Sequence, residues 1–534
     1  MSQSQAAQEM PRWMPSKTQE EIKNLEAKRA HEKFRHSLKE QLVSLKYIRS
    51  NKRMWHAMPF FLMHMLACSY ADISSIELVR ASSRTEFGEI TKLMRKITAM
   101  LNLGIDLSRA CEITRKDAKL LYLQDFLQRF AQIAKLGEDM IVFLGKEYNT
   151  FMTMYSSDME RAFIRFKRFT EAYSAVLSSS VLIVMILTFT GLLWGSGMSM
   201  VGVIVPGIVV MYGMFALIFY ISSPVIRVIS LTKKRRQLLR LTKINRYVVW
   251  FTFLVNLVFV FLITLHIVPR DLGLLAAGLS GFPSLIIGFM GINASNRVET
   301  IDERFPEFAT MLSTSLSTMG TSIIYAFRDV SRLDFGKLSP YVRGMSAKLE
   351  LGIDKNVSWE SFETETSSDM MRIHSEAFSK ANAYGAPAKE FGPLVANSSL
   401  FMLTLRRRLS EVSALMKGII IPMHPILCAI MGLIMAIITQ FVEIFKTFQG
   451  SGMPVIFMVP DLNLIDVYIY LIVTALTFIN ALLIYEISGE QEFNLSFYLG
   501  LFVVSGWLTY LVCLTSVIGY LQGIGLGNLT TPTV

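Results

Sequence analysis

The chain has 534 residues, of which 52% are hydrophobic and only 18% charged, and its mean hydropathy is +0.42. Soluble globular proteins carry about 25% charged residues, so this composition argues against a purely soluble enzyme and predicts membrane spans. The 53 Lys and Arg exceed the 42 Asp and Glu, a balance that suits a membrane protein with basic inner loops or a nucleic-acid-binding protein. The position of the basic residues decides between these two classes.

Seven apolar stretches of the chain are long enough to cross a bilayer, which takes about 20 residues each. They form a group of four and a group of three, separated by the polar segment 294–413. The first four form two hairpins that are joined by the basic loop 223–246. The predicted spans are residues 174–195, 200–222, 247–268, 272–293, 414–442, 464–487 and 497–522.

The distribution of basic residues predicts the orientation in the membrane. With the basic loop in the cytoplasm, the segments 1–173 and 294–413 are cytoplasmic too, and only Arg270 and Lys446 of the 53 basic residues lie outside. This bias follows the positive-inside rule. We therefore expect a multi-pass protein of the cell membrane with a cytoplasmic N-terminus and no signal peptide, and a tail, 523–534, on the outer side.

The two large cytoplasmic segments resemble each other and predict a duplicated helical domain. Leu-Asn-Leu-Gly-Ile-Asp at 101–106 recurs as Leu-Glu-Leu-Gly-Ile-Asp at 349–354, and a second glycine follows each at equal spacing. Apolar residues at intervals of three and four predict helices, glycine suits a helix end, and Asp suits the cap of the next helix. We predict an all-α protein with helix bundles at 57–173 and 294–413, preceded by a charged helical region, 1–56. The residues of the repeat motif are Gly104, Asp106, Gly137, Gly352, Asp354 and Gly385.

No catalytic, cofactor-binding or metal-binding motif is present in the sequence, so we expect neither an enzyme nor a cofactor. The spans hold few ionisable residues away from their ends, which disfavours an ion-coupled transporter. The exception is His424, between Pro422 and Pro425 in the fifth span. This stretch predicts either a kinked helix in which His424 bonds a freed carbonyl group, or a moving joint.

Two basic clusters flank predicted spans, and each has two interpretations. They either set the topology and contact anionic lipid headgroups, or they bind an acidic surface of a cytoplasmic partner. Nucleic-acid binding is disfavoured, because no aromatic residues interleave the clusters. The candidate partner-binding residues are Lys233, Lys234, Arg235, Arg236, Arg240, Arg406, Arg407 and Arg408.

A duplicated cytoplasmic helical domain, with spans after each copy, resembles the F-type platform proteins of type II secretion and type IV pilus machines. Phe-Leu-Gln-Arg-Phe at 126–130, Ala-Lys-Leu-Gly-Glu at 134–138 and Pro-Phe-Phe at 59–61 resemble the archaeal branch, and most of all the platforms of the archaellum. The resemblance covers about residues 57–520. The four and three spans depart from the bacterial pattern of one and two, which supports the archaeal branch.

The resemblance implies a platform in the archaeal cytoplasmic membrane, without catalytic residues and dimeric. A hexameric secretion ATPase would bind it from the cytoplasm and supply conformational work for the insertion of pilin-like subunits, the archaellins, and for rotation of the filament. Three alternatives stay open at this point. They are the platform of an adhesive type IV pilus, a membrane subunit of an ATP-driven transporter, and a scaffold or receptor without energy coupling.

Overall fold

The computed structural model describes residues 50–194, 197–222, 236–318, 322–450, 462–488 and 492–523. Within these ranges the chain is helical apart from turns and short connections, and no strand occurs. The all-α class is therefore confirmed for the described part of the chain. Residues 1–49, which make up most of the predicted charged N-terminal region, lie outside it, as do residues 524–534 of the predicted tail.

Six helices cover the described part of the first repeat. The sixth is one continuous helix of 55 residues that includes most of the first predicted span, 174–195. The helices are α1 (50–69), α2 (Ser75–Arg84), α3 (Glu89–Asn102), α4 (Leu107–Arg115), α5 (Leu121–Leu136) and α6 (Met140–Trp194).

Four helices lie between the repeats: α7 (Gly197–Ser222), α8 (Arg236–Thr264), α9 (Arg270–Leu279) and α10 (Phe282–Asp302). The predicted span 272–293 consists of two helices rather than one, because α9 ends before α10 begins, and its place in the membrane stays a prediction. Pro283 lies in the first turn of α10. It has no N–H to donate to the carbonyl group of Leu279, which disfavours a continuous helix at this point, whereas proline fits the start of a new helix.

The second repeat follows with the same order of helices as the first, and its sixth helix is again a long one, of 63 residues. Two further helices complete the described chain. These helices are α11 (Phe305–Thr318), α12 (Ile323–Val330), α13 (Ser339–Glu350), α14 (Lys355–Thr366), α15 (Asp369–Ala383), α16 (Ala388–Gly450), α17 (Leu462–Ile487) and α18 (Glu492–Leu521).

The repeated glycine and aspartate residues lie at equivalent helix ends. Gly104 after α3 and Gly352 after α13 have φ angles of +81° and +75°, a left-handed conformation that glycine adopts without a Cβ clash. Asp106 accepts a hydrogen bond from the Ser108 amide at the start of α4, and Asp354 caps α14 in the same way. Each Asp thereby satisfies amide groups that a helix start leaves without a partner.

The buried side chains of both repeats form one continuous core. It contains Phe61 and Phe126 from the first repeat together with Phe308 and Phe391 from the second. The division of these helices into two separate bundles therefore stays a prediction, because their apolar faces are buried against a common set of neighbours. This shared core means that a force applied to one repeat reaches the other through packed side chains.

Five helical stretches within the described residues are long and apolar enough to cross a membrane. The apolar part of α7, Pro206–Ser222, is shorter. The number of seven spans thus stays a prediction, while the length and composition of these helices are those of a multi-pass membrane protein. The five stretches are Thr242–Thr264, Arg270–Thr318, Ala388–Ile444, Leu462–Ile487 and Phe493–Leu521.

A close helix crossing joins α10 to α18 through glycines. A Cβ atom at Gly288 would lie 2.3 Å from the backbone nitrogen of Phe497, and one at Gly500 would lie 2.4 Å from the backbone nitrogen of Leu285. Small residues let two backbones approach in a membrane, where dispersion contacts rather than the hydrophobic effect hold helices together. This crossing fixes the fourth predicted span against the last one.

Candidate functional site: polar contacts between the repeats and the membrane helices

The candidate residues of the basic loop lie at the edge of the described chain. Lys233, Lys234 and Arg235 fall outside the described residues, and Arg236 and Arg240 belong to the first turns of α8. A role of this loop in binding a partner or in setting the topology therefore stays a prediction.

The arginine cluster before the fifth predicted span is paired within the chain. Arg406 on α16 contacts the carboxylate of Asp302, which is fully buried at the end of α10. Arg407 Nη2 lies 3.4 Å from a carboxylate oxygen of Glu303, and Arg408 Nη1 lies 2.6 Å from one of Glu160 on α6. The two outer pairs are exposed and contribute at most about 1 kcal/mol each, so a partner can compete for them.

The inner pair of this cluster has a different role, because it is buried. Removing one member of a buried ion pair leaves an uncompensated charge and costs about 3–5 kcal/mol. Arg406 therefore ties the long helix α16 to the end of α10, where the chain passes from the membrane helices into the second repeat. Sequence reasoning named Arg406 but missed Asp302, because nothing in the local sequence distinguishes a buried aspartate from the exposed Glu303 beside it.

Polar side chains also connect the two repeats directly. Lys380 Nζ on α15 donates to the Thr85 hydroxyl at 2.5 Å, and that hydroxyl lies 3.1 Å from His64 Nε2 on α1. Burial, with the positive charge of Lys380, lowers the pKa of His64 to about 3, so this histidine is neutral. The Tyr384 hydroxyl contacts Glu77 at 3.2 Å beside this site. These contacts fix the relative position of the repeats, and no group of side chains suited to a metal occurs among the described residues.

A second buried polar cluster lies within the membrane helices and is centred on His424. The Asn480 amide donates to His424 Nδ1 at 3.2 Å, which leaves Nε2 to carry the proton and donate to the carbonyl oxygen of Phe502 at 3.1 Å. The Tyr173 hydroxyl donates to Asn480 Oδ1 at 2.5 Å. The cluster thereby joins α6, α16, α17 and α18 at one point.

This geometry corrects one interpretation of the proline-flanked histidine. His424 does not bond a carbonyl group freed in its own helix, since its partner Phe502 lies on α18. The His424 ring can come close to the backbone of α18 because residue 506 on that helix is glycine. A Cβ at this position would lie 2.7 Å from His424 Nε2. The adjacent cavity, beside Cys428, measures about 10 Å³ and has room for at most one water molecule.

A third polar cluster joins the start of α9 to α17 and α18, and sequence reasoning missed it. Arg270 Nη2 at the start of α9 lies 2.6 Å from the Asp466 carboxylate on α17. The hydroxyl groups of Tyr470 and Tyr510 lie 3.2 and 3.4 Å from the same guanidinium group. The sequence held one signal for this cluster, namely Asp466, a carboxylate inside a predicted span. Such residues are usually paired when they occur in membranes.

Comparisons of the sequence with known proteins find similar proteins that share one name. No family profile and no solved structure matches the chain. It is 24% identical over 361 residues to a curated protein of Methanocaldococcus jannaschii, and 23% identical over 351 residues to one of Methanococcus voltae. Each alignment covers 64% of this chain, and the chain spans 62% of the length of each relative. Both of these similar proteins are named flagella accessory protein J.

Proposed function

We propose that this chain is the membrane platform of an archaeal type IV pilus-like filament machine, and specifically of the archaellum. The observation that carries this proposal is the similarity to two archaeal proteins whose names make them accessory to flagella. The helical architecture, with five stretches long and apolar enough to cross a membrane among the described residues, agrees with it. The platform lies in the archaeal cytoplasmic membrane with its N-terminus in the cytoplasm, and works as a homodimer.

The two long helices give this platform a mechanical route from cytoplasm to membrane. At about 1.5 Å per residue, α6 spans about 80 Å and α16 about 95 Å. Each begins in the shared core of the repeats and ends among the membrane helices. A hexameric cytoplasmic ATPase that moves the repeats therefore displaces these helices, and the displacement assists insertion of archaellins and rotation of the filament.

The cluster around His424 lies where the two long helices meet in the membrane. Tyr173 on α6 and His424 on α16 share Asn480 as a partner. A buried, satisfied hydrogen-bond network keeps a unique arrangement, so α6 and α16 move together at this level. The chain itself performs no reaction in this scheme, since its energy comes from the partner ATPase.

The test is a deletion of the gene in its native host, with filaments scored by electron microscopy and swimming scored on soft agar. Loss of the rotating filament and of swimming, both restored by the intact gene, supports the archaellum platform. Loss of thin pili with swimming intact identifies an adhesive pilus instead. Persistence of all filaments overturns the platform and makes the transporter subunit the leading alternative.

A second experiment tests the ATPase contact. In the full-length protein, the charges of Lys233, Lys234, Arg235 and Arg236 are reversed to glutamate, and co-purification of the motor ATPase is measured at physiological salt. Reduced recovery, with unchanged membrane insertion, supports docking on the basic loop. Unchanged recovery shows that the loop serves only the topology.

A further inference from the structure

The two repeats contact each other through different faces of the same helix arrangement. The first repeat contributes α1 and α2, and the second contributes α15. The centre of the Phe60 ring on α1 lies 5.5 Å from that of the His374 ring on α15, and Glu77 on α2 contacts the Tyr384 hydroxyl at the end of α15. We call the α1–α2 face and its equivalent on α11–α12 the front face, and α15 and its equivalent α5 the back face. The contact between the repeats is therefore head-to-tail, with a front face on a back face.

The front face of the second repeat is exposed in the described part of the chain, although that of the first is buried. His64 and Met311 occupy equivalent positions, because each lies five residues after the proline of α1 or α11. His64 is fully buried, whereas 42% of Met311 is exposed. Ala67 and Thr314, three residues further along, differ in the same way. The contact between the repeats accounts for this difference, because it covers only one of the two front faces.

The back face of the first repeat is exposed in the same way. Leu136 and Tyr384 occupy equivalent positions, because each precedes the left-handed glycine that follows α5 or α15. Tyr384 is half-buried against the first repeat, whereas 69% of Leu136 is exposed. Likewise, Asp125 on α5 is exposed, while its equivalent on α15, Ile373, is buried. Each chain therefore leaves one front face and one back face uncovered among its described residues.

The two uncovered faces match each other in chemistry. Within the chain, Glu77 lies opposite Tyr384, and this pair is polar. Glu77 and Ile324 each follow a Ser-Ile pair, so the equivalent contact between two uncovered faces joins Ile324 to Leu136. Ile324 is half-buried on its face. Two apolar side chains thus replace the polar pair, and burying them against each other removes apolar surface from water without leaving a polar group unpaired.

We propose that a second copy of this chain covers both uncovered faces. The back face of each copy packs on the front face of the other, and the Leu136 and Ile324 side chains meet across the interface. Head-to-tail contacts form closed rings when their rotation allows it, and two copies then place four repeats in one ring. The proposal rests on the homodimer of the proposed function and names its cytoplasmic interface. In such a ring each repeat contacts two others, so a movement of one repeat reaches both copies through packed side chains.

The test is cysteine cross-linking of the full-length protein in membranes. Leu136→Cys and Ile324→Cys are introduced into one chain, a short bismaleimide is added, and the covalent dimer is measured by SDS gel electrophoresis. We expect a dimer for this double variant and for the two single variants expressed together, but for neither single variant alone. The parent chain controls for the four native cysteines. Leu136→Cys with Leu400→Cys controls for random collision, since Leu400 on α16 is 53% exposed and lies on neither face.

A second measurement gives the strength of the interface. The dimer fraction of the detergent-solubilised full-length protein is followed by mass photometry over a range of concentrations. Leu136→Lys raises the dimer dissociation constant by about ten-fold or more, whereas the matched control Leu400→Lys leaves it within about two-fold. Leu136 is exposed in the single chain, and lysine suits the C-terminal end of a helix, so the variant keeps its fold.

Three results overturn the proposal. The first is a double cysteine variant that gives no more dimer than the collision control. The second is a dimer from either single cysteine variant alone, which shows that a face meets its own copy. The third is a ladder of larger species, which shows an open chain rather than a closed ring. If the parent is dimeric by mass photometry without the cross-link, the homodimer stands and its interface lies elsewhere, and the deletion experiment tests the platform function independently of both results.

Discussion

The crossing of α10 and α18 makes a sharp prediction for Gly288→Ala. The added Cβ would lie 2.3 Å from the backbone nitrogen of Phe497 and 2.4 Å from its Cα. Favourable contacts need about 3.5 Å, so the two helices must separate by about 1 Å. The two atoms closest to the added Cβ belong to the backbone of α18, and the contacts at Gly500 nearby are also with backbone atoms. A side-chain rotation in α18 therefore cannot relieve the clash.

The expected cost follows from two opposing terms. Overpacking costs about 3 kcal/mol when only backbone can move, and the better helix propensity of alanine returns about 1 kcal/mol. We therefore expect a net loss of about 2 kcal/mol for Gly288→Ala. The matched control is Gly213→Ala on α7, where a Cβ meets nothing within 4 Å, and this variant gains about 0.5–1 kcal/mol.

The free energy of unfolding is measured for both variants and the parent by titration with SDS in mixed micelles. The predicted gap of about 3 kcal/mol between the variants corresponds to a change of about a hundred-fold in the unfolding equilibrium, well above experimental error. If Gly288→Ala is as stable as Gly213→Ala, then α10 and α18 do not cross at this glycine and the reasoning is refuted.

Three other predictions concern the repeats. Asp106→Ala and Asp354→Ala each lower the free energy of unfolding by about 1 kcal/mol, while the Asn variants lose less; a urea series that shows no loss in either copy contradicts the cap role. Asp302→Asn costs about 3–5 kcal/mol, and combining it with Arg406→Met restores part of that loss in a double-mutant cycle, whereas additive effects exclude coupling. Burial lowers the pKa of His374 to about 4, so the histidine stays neutral when folded but takes up a proton on unfolding below pH 6.5. Its contribution to the free energy of unfolding is complete above pH 6.5 and falls by about 2 kcal/mol by pH 5. His374→Gln must therefore flatten the dependence of the free energy of unfolding on pH, and an unchanged dependence refutes this.

The helical class and the internal repeat follow from local patterns in the sequence. Glycine before a short turn and Asp two residues later determine where α3 and α13 end and where the next helices begin, because φ preference and amide capping act within a few residues. The membrane character follows from composition alone, since a long uncharged apolar run has few other stable environments.

Contacts between distant residues could not be predicted in this way. The pairing of Arg406 with Asp302 and of Arg270 with Asp466 depends on how helices pack, and a single sequence does not show which carboxylate faces which cation. His424 was singled out by its prolines, yet its partner lies on α18, because the backbone approach at Gly506 decides what the ring reaches.

The sequence by itself thus determined the class of protein, the repeat and the ends of several helices, because each of these depends on neighbouring residues and on the total apolar content. The tertiary structure decided that the repeats share one core, that the fourth predicted span is broken, and that one buried network joins α6 to α16. These features depend on the packing of long helices against each other, where a single glycine or buried charge sets which surfaces meet.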